Sequence, residues 1–165
     1  MAITYFREYK WLDCKQEYVD LGVSRHYKPE LEMGSIENYK ERNIWYEGDA
    51  DTGIIIKIHA VGMAEHITIY NVLTREHMTI DTDKLAALLG TGIVAGDEIT
   101  ISTIKGDKYI ELLRNGITYN ILNVLDKNTD WFQITKGDNV FTYVAVSGSS
   151  NLQFKILNQV AFEGV

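Results

Sequence analysis

The chain has little of what would narrow its chemistry. Its 165 residues include one cysteine, Cys14, and one proline, Pro29. A lone cysteine excludes a disulfide within the chain, and Cys14 has no local signature of a catalytic nucleophile. There is no low-complexity run. No apolar stretch approaches the roughly 20 residues of a membrane helix. The N-terminus, MAITYFREYKWLDCKQEY, has no apolar h-region of the secretory kind, and no Asn-x-Ser/Thr acceptor occurs. Positive charge is also short: 16 Lys and Arg stand against 23 Asp and Glu, for a formal net charge of -7. The charges are interspersed and read as solvated faces. Without a basic stripe the chain is a poor nucleic-acid binder, because phosphate neutralisation supplies most of that affinity. These absences fit a protein made in a cytoplasm, with neither a membrane nor a nucleic acid as partner.

Apolar residues are plentiful, 45% of the chain, enough for the core of one domain. From Ile54 onward their period is two. IIIKIHAV places Ile54, Ile56, Ile58 and Ala60 on one face. HITIYNV does the same with Ile67 and Ile69, HMTID with Met78 and Ile80, and EITISTI with Ile99 and Ile101. KYIELL offers Ile110 and Leu112, and ITYNILNV offers Ile117, Tyr119 and Ile121. VFTYVAV offers Val140, Val144 and Val146, and NLQFKIL offers Leu152, Phe154 and Ile156. Short β-branched and aromatic segments with one wet face belong in antiparallel sheets.

The punctuation agrees. Asn115-Gly116 is a strong hairpin signal, since both residues tolerate positive φ. With Lys105-Gly106-Asp107 it makes residues 98–124 a three-stranded meander. Gly-Asp recurs at residues 48–49, 96–97, 106–107 and 137–138, each beside a strand. About eight strands with such spacing predict an all-β, antiparallel two-sheet sandwich. One segment departs from the period: TDKLAALLGTG predicts a short helix near 83–89, with Thr82 as N-cap and Gly90 as the stop. Residues 1–43 lack a clean period and read as an N-terminal extension or linker, leaving 44–165 as the sandwich domain.

Asp49 to Gly53, DADTG, begins like a calcium loop, but Gly53, Ile54 and Ala60 occupy the positions that need a ligand, a glycine and a glutamate. His59, His66 and His77 lie on or beside strands without the spacing of a recurring zinc site. No nucleophile elbow or phosphate-cradling loop is present. The Lys-Gly-Asp tripeptides at 105–107 and 136–138 read as turns before adhesion motifs. Trp45, Tyr46, Tyr109, Tyr119, Trp131, Phe141 and Tyr143 could stack on sugars, but core and strand-edge packing are the commoner uses of such rings. No catalytic, cofactor-binding or metal-ligating residue is assigned, and no ligand-binding residue is identified.

From Tyr46 to Val165 the chain resembles the C-terminal domain of the distal tail protein family of long-tailed bacteriophages. The pieces occur in order: YEGDADTGIIIKIHAVG, ITIYNVLTREHMTID, AGDEITISTIKGDKYIELLRNG, NTDWFQITKGDNVFTYVAVSG and the terminal FEGV. The resemblance implies a galectin-like, jelly-roll-like sandwich with a structural role. It makes DWFQITKGDNVFTY a strand, turn and strand, with Trp131 and Phe132 seating the loop on the core. It further implies a place in the virion tail tip and partners among the tail-tube, tail-tip and receptor-binding proteins. In the family a ring, typically of six copies, is built mainly by an N-terminal domain. Residues 1–43 hold at most its last strand and a linker, so this chain reads as a cut or shortened relative. Alone it is expected to be a monomer or weak dimer. A sugar-binding module attaching to a host surface is the alternative, and likeness of fold does not by itself confer that activity.

Overall fold

The computed structural model describes the backbone of residues 5–10 and the whole of 41–162. Ten strands occur among these residues: β1 (Tyr5–Lys10), β2 (Arg42–Tyr46), β3 (Ile54–Ala60), β4 (Glu65–Asn71), β5 (His77–Ile80), β6 (Glu98–Ser102), β7 (Tyr109–Arg114), β8 (Ile117–Asn120), β9 (Gly137–Ser147) and β10 (Leu152–Val160). A single α-helix, α1 (Thr82–Leu89), follows β5, and a 3-10 turn (Leu122–Val124) follows β8. Every pairing is antiparallel. The strands form a six-stranded sheet ordered β1-β10-β3-β6-β7-β8 and a four-stranded sheet ordered β2-β9-β4-β5. This is the two-sheet antiparallel sandwich with one short helix that the period-two pattern predicts.

The core lies between the sheets and is filled by the alternating residues. On β3, Ile54, Ile56, Ile58 and Ala60 are buried, and on β10 Leu152, Phe154, Ile156 and Val160. Ile56 is paired with Ile156 on one side and Ile101 on the other, so a row of isoleucines crosses three neighbouring strands. Burying each such side chain contributes about 1.5–3 kcal/mol. Tyr143 stacks on Phe154 at 3.9 Å between centroids, and Phe132 meets Phe141 edge-on at 5.5 Å.

Several expectations are corrected. On β9 the buried side chains are Asn139, Phe141 and Tyr143, whereas Val144 and Val146 are exposed and Val140 is half-buried. The register is one residue from the expected one, because the outward row of β9 is as apolar as the inward row and period alone cannot choose. Ile117 is exposed and Tyr119 half-buried, since β8 is a short edge strand; of that trio only Ile121, beyond the strand, is in the core. The helix is capped by Asp81 rather than Thr82: the Asp81 carboxylate accepts from the amides of Asp83 and Lys84 at 3.0 and 3.3 Å. The Thr82 hydroxyl instead accepts from the His66 amide at 3.2 Å.

DWFQIT is not a strand either. Residues 125–130 run beside β5: the amides of Asp126 and Asp130 donate to the carbonyls of Thr79 and His77 at 3.0 and 2.8 Å. That irregular segment occupies the β5 edge, which would otherwise be free to pair with another chain. Phe132 then enters the core completely, with Trp131 packed partly against it. Ile134 forms an isolated bridge with Thr52.

The glycines of the family-like pieces have steric reasons. A Cβ on Gly48 would lie 2.3 Å from the Tyr46 hydroxyl and 2.5 Å from the Ala161 carbonyl oxygen. A Cβ on Gly53 would lie 2.4 Å from the Thr103 carbonyl oxygen. At the β7–β8 turn, Asn115 and Gly116 both take positive φ, 51° and 77°, as the hairpin requires. The β6–β7–β8 meander over 98–124 is present as expected. Within residues 1–43, β1 pairs with β10 from Tyr5↔Val160 to Lys10↔Lys155, and β2 begins at Arg42. Cys14 lies outside the described residues.

Candidate interaction surfaces

Side-chain alternation sends half of each strand outward, and the two outer faces differ. On the six-stranded sheet the outward residues of β3, β6, β7 and β10 include Lys57, Glu98, Glu111 and Lys155, a mixed-charge solvated face. On the four-stranded sheet the outward row of β9 is Asp138, Val140, Thr142, Val144 and Val146, with the charge confined to its first residue. Thr68 of β4 lies opposite Val144, and Tyr70 opposite Thr142. Across the next pair, the Thr68 and Thr79 hydroxyls are hydrogen-bonded at 3.0 Å, and the Tyr70 ring lies 6.2 Å from that of His77. Trp45, 57% exposed, flanks the face on β2. This outer face is made of valine, threonine and aromatic side chains and is largely free of formal charge.

The polar clusters, by contrast, hold the protein's own turns. Asp97 is 1% exposed and bound bidentately by Arg114, at 2.8 Å through Nε and 2.6 Å through Nη2. Arg114 also donates to Thr91 Oγ1 and to the Gly92 carbonyl, while the Val94 amide donates to Asp97. One ion pair thus ties the loop after α1 to β7. The hydrogen bonds to Asp97 outweigh burial and raise the pKa of Arg114 further above its ordinary value. Asn139, buried, donates to the Thr135 carbonyl and accepts from the Thr135 amide, closing the turn into β9. Asn71 accepts from the amides of Leu73 and Thr74 in the β4–β5 turn.

The residues nominated by sequence do not converge. Tyr46, Phe141 and Tyr143 are buried. Trp131 is half-buried, with the Lys108 ammonium 5.3 Å from its ring. Tyr109 and Tyr119 are half-buried on the six-stranded sheet. Burial, then the neighbouring Asp107 and Glu111, push the Tyr109 phenol up. The DADTG stretch is used to seat Thr52 against Ile134 through reciprocal amide–carbonyl bonds at 3.2 and 2.8 Å. Lys105-Gly106-Asp107 sits at a turn with Gly106 at φ 85°, whereas in the second tripeptide only Lys136 lies in the bend and Gly137, at φ 102°, and Asp138 open β9, paired with Tyr46 and Trp45.

The three histidines are apart. His59 faces Glu98 at 3.7 Å and His77 faces Asp130 at 3.6 Å. His66 meets Asp81 and Asp83 at 3.7 and 3.5 Å, and potential ligand atoms of these three lie within 4.8 Å of one another. Sequence reasoning missed this trio because it joins β4 to the helix start. Asp81 is already engaged there. Burial tends to raise its pKa, but the Lys84 and Asp83 amides and the Lys84 ammonium at 3.5 Å outweigh that, so it ends lowered. The arrangement works as a helix cap with an ion-pair fringe.

The fold is a two-sheet antiparallel β-sandwich whose described polar clusters brace turns. Residues 47–156 match the family model of the siphovirus-type tail component, C-terminal domain. The chain belongs to that family of siphovirus-type tail components. Among solved structures it is similar to a chain of the phage P2 baseplate in its activated conformation with Ca, and to one of the same baseplate with Sr. Each comparison gives 13% identity and a TM-score of 0.50, covering 95% of this chain and 53% of that chain. At that identity the likeness is one of fold. This chain spans about half the length of the baseplate chains it matches. No curated protein matches it.

Proposed function

We propose that this chain acts as a distal-tail-type component of the tail tip or baseplate, linking tail tube, tip and receptor-binding proteins by protein–protein contacts alone. It is made in the bacterial host cytoplasm and works in the virion tail, without catalysis or a cofactor. The observation that carries this reading is the family match over residues 47–156. The structure supports it in a second way: Asp97, Arg114, Asn139 and Asn71 brace turns rather than converging on a cleft. In the complete assembly the protein belongs to a homo-oligomeric ring. As an isolated chain it is a monomer or weak dimer, because copies carrying -7 repel one another at low salt.

The test is co-expression with the tail-tube and tail-tip proteins encoded in the same phage genome, followed by size exclusion with light scattering. A defined complex with at least one of them, from a chain that is monomeric or dimeric alone, is the expected result. The reading fails if the chain ignores every tail protein and instead binds a defined sugar on a glycan array, with loss on changing Trp45 or Trp131.

A further inference from the structure

We infer that the outer face of the four-stranded sheet is a docking surface for a different protein, one with an apolar centre flanked by lysine and arginine. The inference rests on the tail-component reading above and names the surface and the chemistry of the partner. Its first support is the apolar stripe. Val144 is 43% exposed and Val146 77%, and the stripe continues through Tyr70 at 36% to Val72 at 41%. The Val72 amide donates to the Val140 carbonyl at 2.7 Å, so Val72 lies beside Val140 where the stripe crosses from β9 to β4. From Val140 to Val146 the stripe is about 20 Å long at ~3.3 Å per residue. A β-branched row on the solvated side of a long central strand invites self-association unless something covers it.

The second support is charge. Asn43 and Trp45 on β2, the outward row of β9 from Val140 to Val146, Thr68 and Tyr70 on β4 and Thr79 on β5 include no Lys, Arg, Asp or Glu. Around them stand Glu41, Glu65, Glu76, Asp83, Asp130 and Asp138, against Arg42, Arg75, Lys84 and Lys136, so the rim is acidic on balance. Lys84 is held by Asp81 at 3.5 Å, and the neighbours Asp126 and Lys127 cancel. An uncharged centre inside an acidic rim complements an apolar patch with a basic rim. A second copy of the same face would set acid against acid, so the complementary occupant is another protein.

The experiment places a photo-crosslinking amino acid at Val144, and at Lys57 on the other sheet as the control, in chains incorporated into assembled tails. Peptide mass spectrometry first establishes that the chain is present in the particles, which tests the tail-component reading separately. The expected result is a crosslink from position 144, and none from 57, to one other tail protein at a peptide with apolar residues beside lysine or arginine. That purified protein should then lose affinity for Val144→Glu on the order of tenfold or more. It should also bind more weakly as salt rises from 50 to 500 mM. Val146→Glu serves as a second variant, and unchanged melting of either shows that folding is intact. The inference is overturned if position 144 is silent in tails that contain the chain, or if it crosslinks within the chain or to another copy. It is equally overturned if folded glutamate variants bind as the parent does.

Discussion

Replacing Arg114 by leucine should be among the most damaging single changes to this sandwich. Asp97 is 1% exposed, and the Arg114 side chain is 12% exposed. The guanidinium supplies both of the short bonds to that carboxylate and also reaches Thr91 and Gly92. Leucine would leave Asp97 buried with the Val94 amide as its remaining named donor. Breaking a buried pair from one side costs about 3–5 kcal/mol. That is a large part of the roughly 5–15 kcal/mol that holds a domain together. At about 2–4 °C per kcal/mol for a chain of this size, the melting temperature should fall by about 6–20 °C. The loop from Gly90 to Asp97 would loosen first and take Ile93, bridged to Ala64, out of the core. The assay is a double-mutant cycle in denaturant with Asp97→Ala, Arg114→Leu and the pair. The pair should cost less than the sum of the singles by about 2 kcal/mol or more. Additive losses, or an Arg114→Leu loss below about 1 kcal/mol, would refute the reasoning.

Three further outcomes are expected. Gly116→Val forces a β-branched residue to the φ of 77° held there and should cost about 1–3 kcal/mol; an unchanged denaturant midpoint would show that the hairpin does not depend on this turn. Asp81→Ala removes the helix cap and should cost about 1 kcal/mol at pH 7. Because the Asp81 pKa is lowered in the folded state, its contribution is full above the unfolded carboxylate value of about 4 and fades as pH falls through the folded value. Parent and variant stabilities should therefore converge in acid, and a difference that persists unchanged to pH 2 would contradict the assignment. Elemental analysis of the purified protein should find no stoichiometric metal, and chelator should leave its melting unchanged. A drop of several degrees would mean that His66, Asp81 and Asp83 do more than cap a helix.

How much was legible in the sequence depended on whether one face was distinctly wetter than the other. On β3 and β10 the inward residues are apolar except for Asn158, while lysine occurs on the outer face of each, so period two marked most of the buried set. On β9 both rows are apolar or hydroxylated, and the outward valines were read as core. The very property that misled the pattern, an apolar outer face, is the one that marks the surface. Turn chemistry was legible wherever positive φ required a special residue, as at Asn115-Gly116. It was not legible for the helix cap, because Asp81 and Thr82 are both good caps and the His66 amide, distant in sequence, takes the threonine. The Asp97–Arg114 clasp joins two segments across a strand and a turn, and the His66 trio joins β4 to α1. Neither spacing belongs to a motif. DWFQIT has a strand-like composition, yet Phe132 enters the core and Ile134 makes one isolated bridge to Thr52, while the largely polar residues 125–130 are the ones that run beside β5.

The central claim, a structural place at the end of a phage tail, is tested most directly by locating the chain in intact particles. Purified virions from the phage or induced prophage that encodes it would be labelled with gold against this sandwich and imaged by electron microscopy. Gold confined to the distal tip of the tail, and present on detached tails, is the predicted result. Particles that lack the chain, or label on the capsid or along the whole tail shaft, would contradict it.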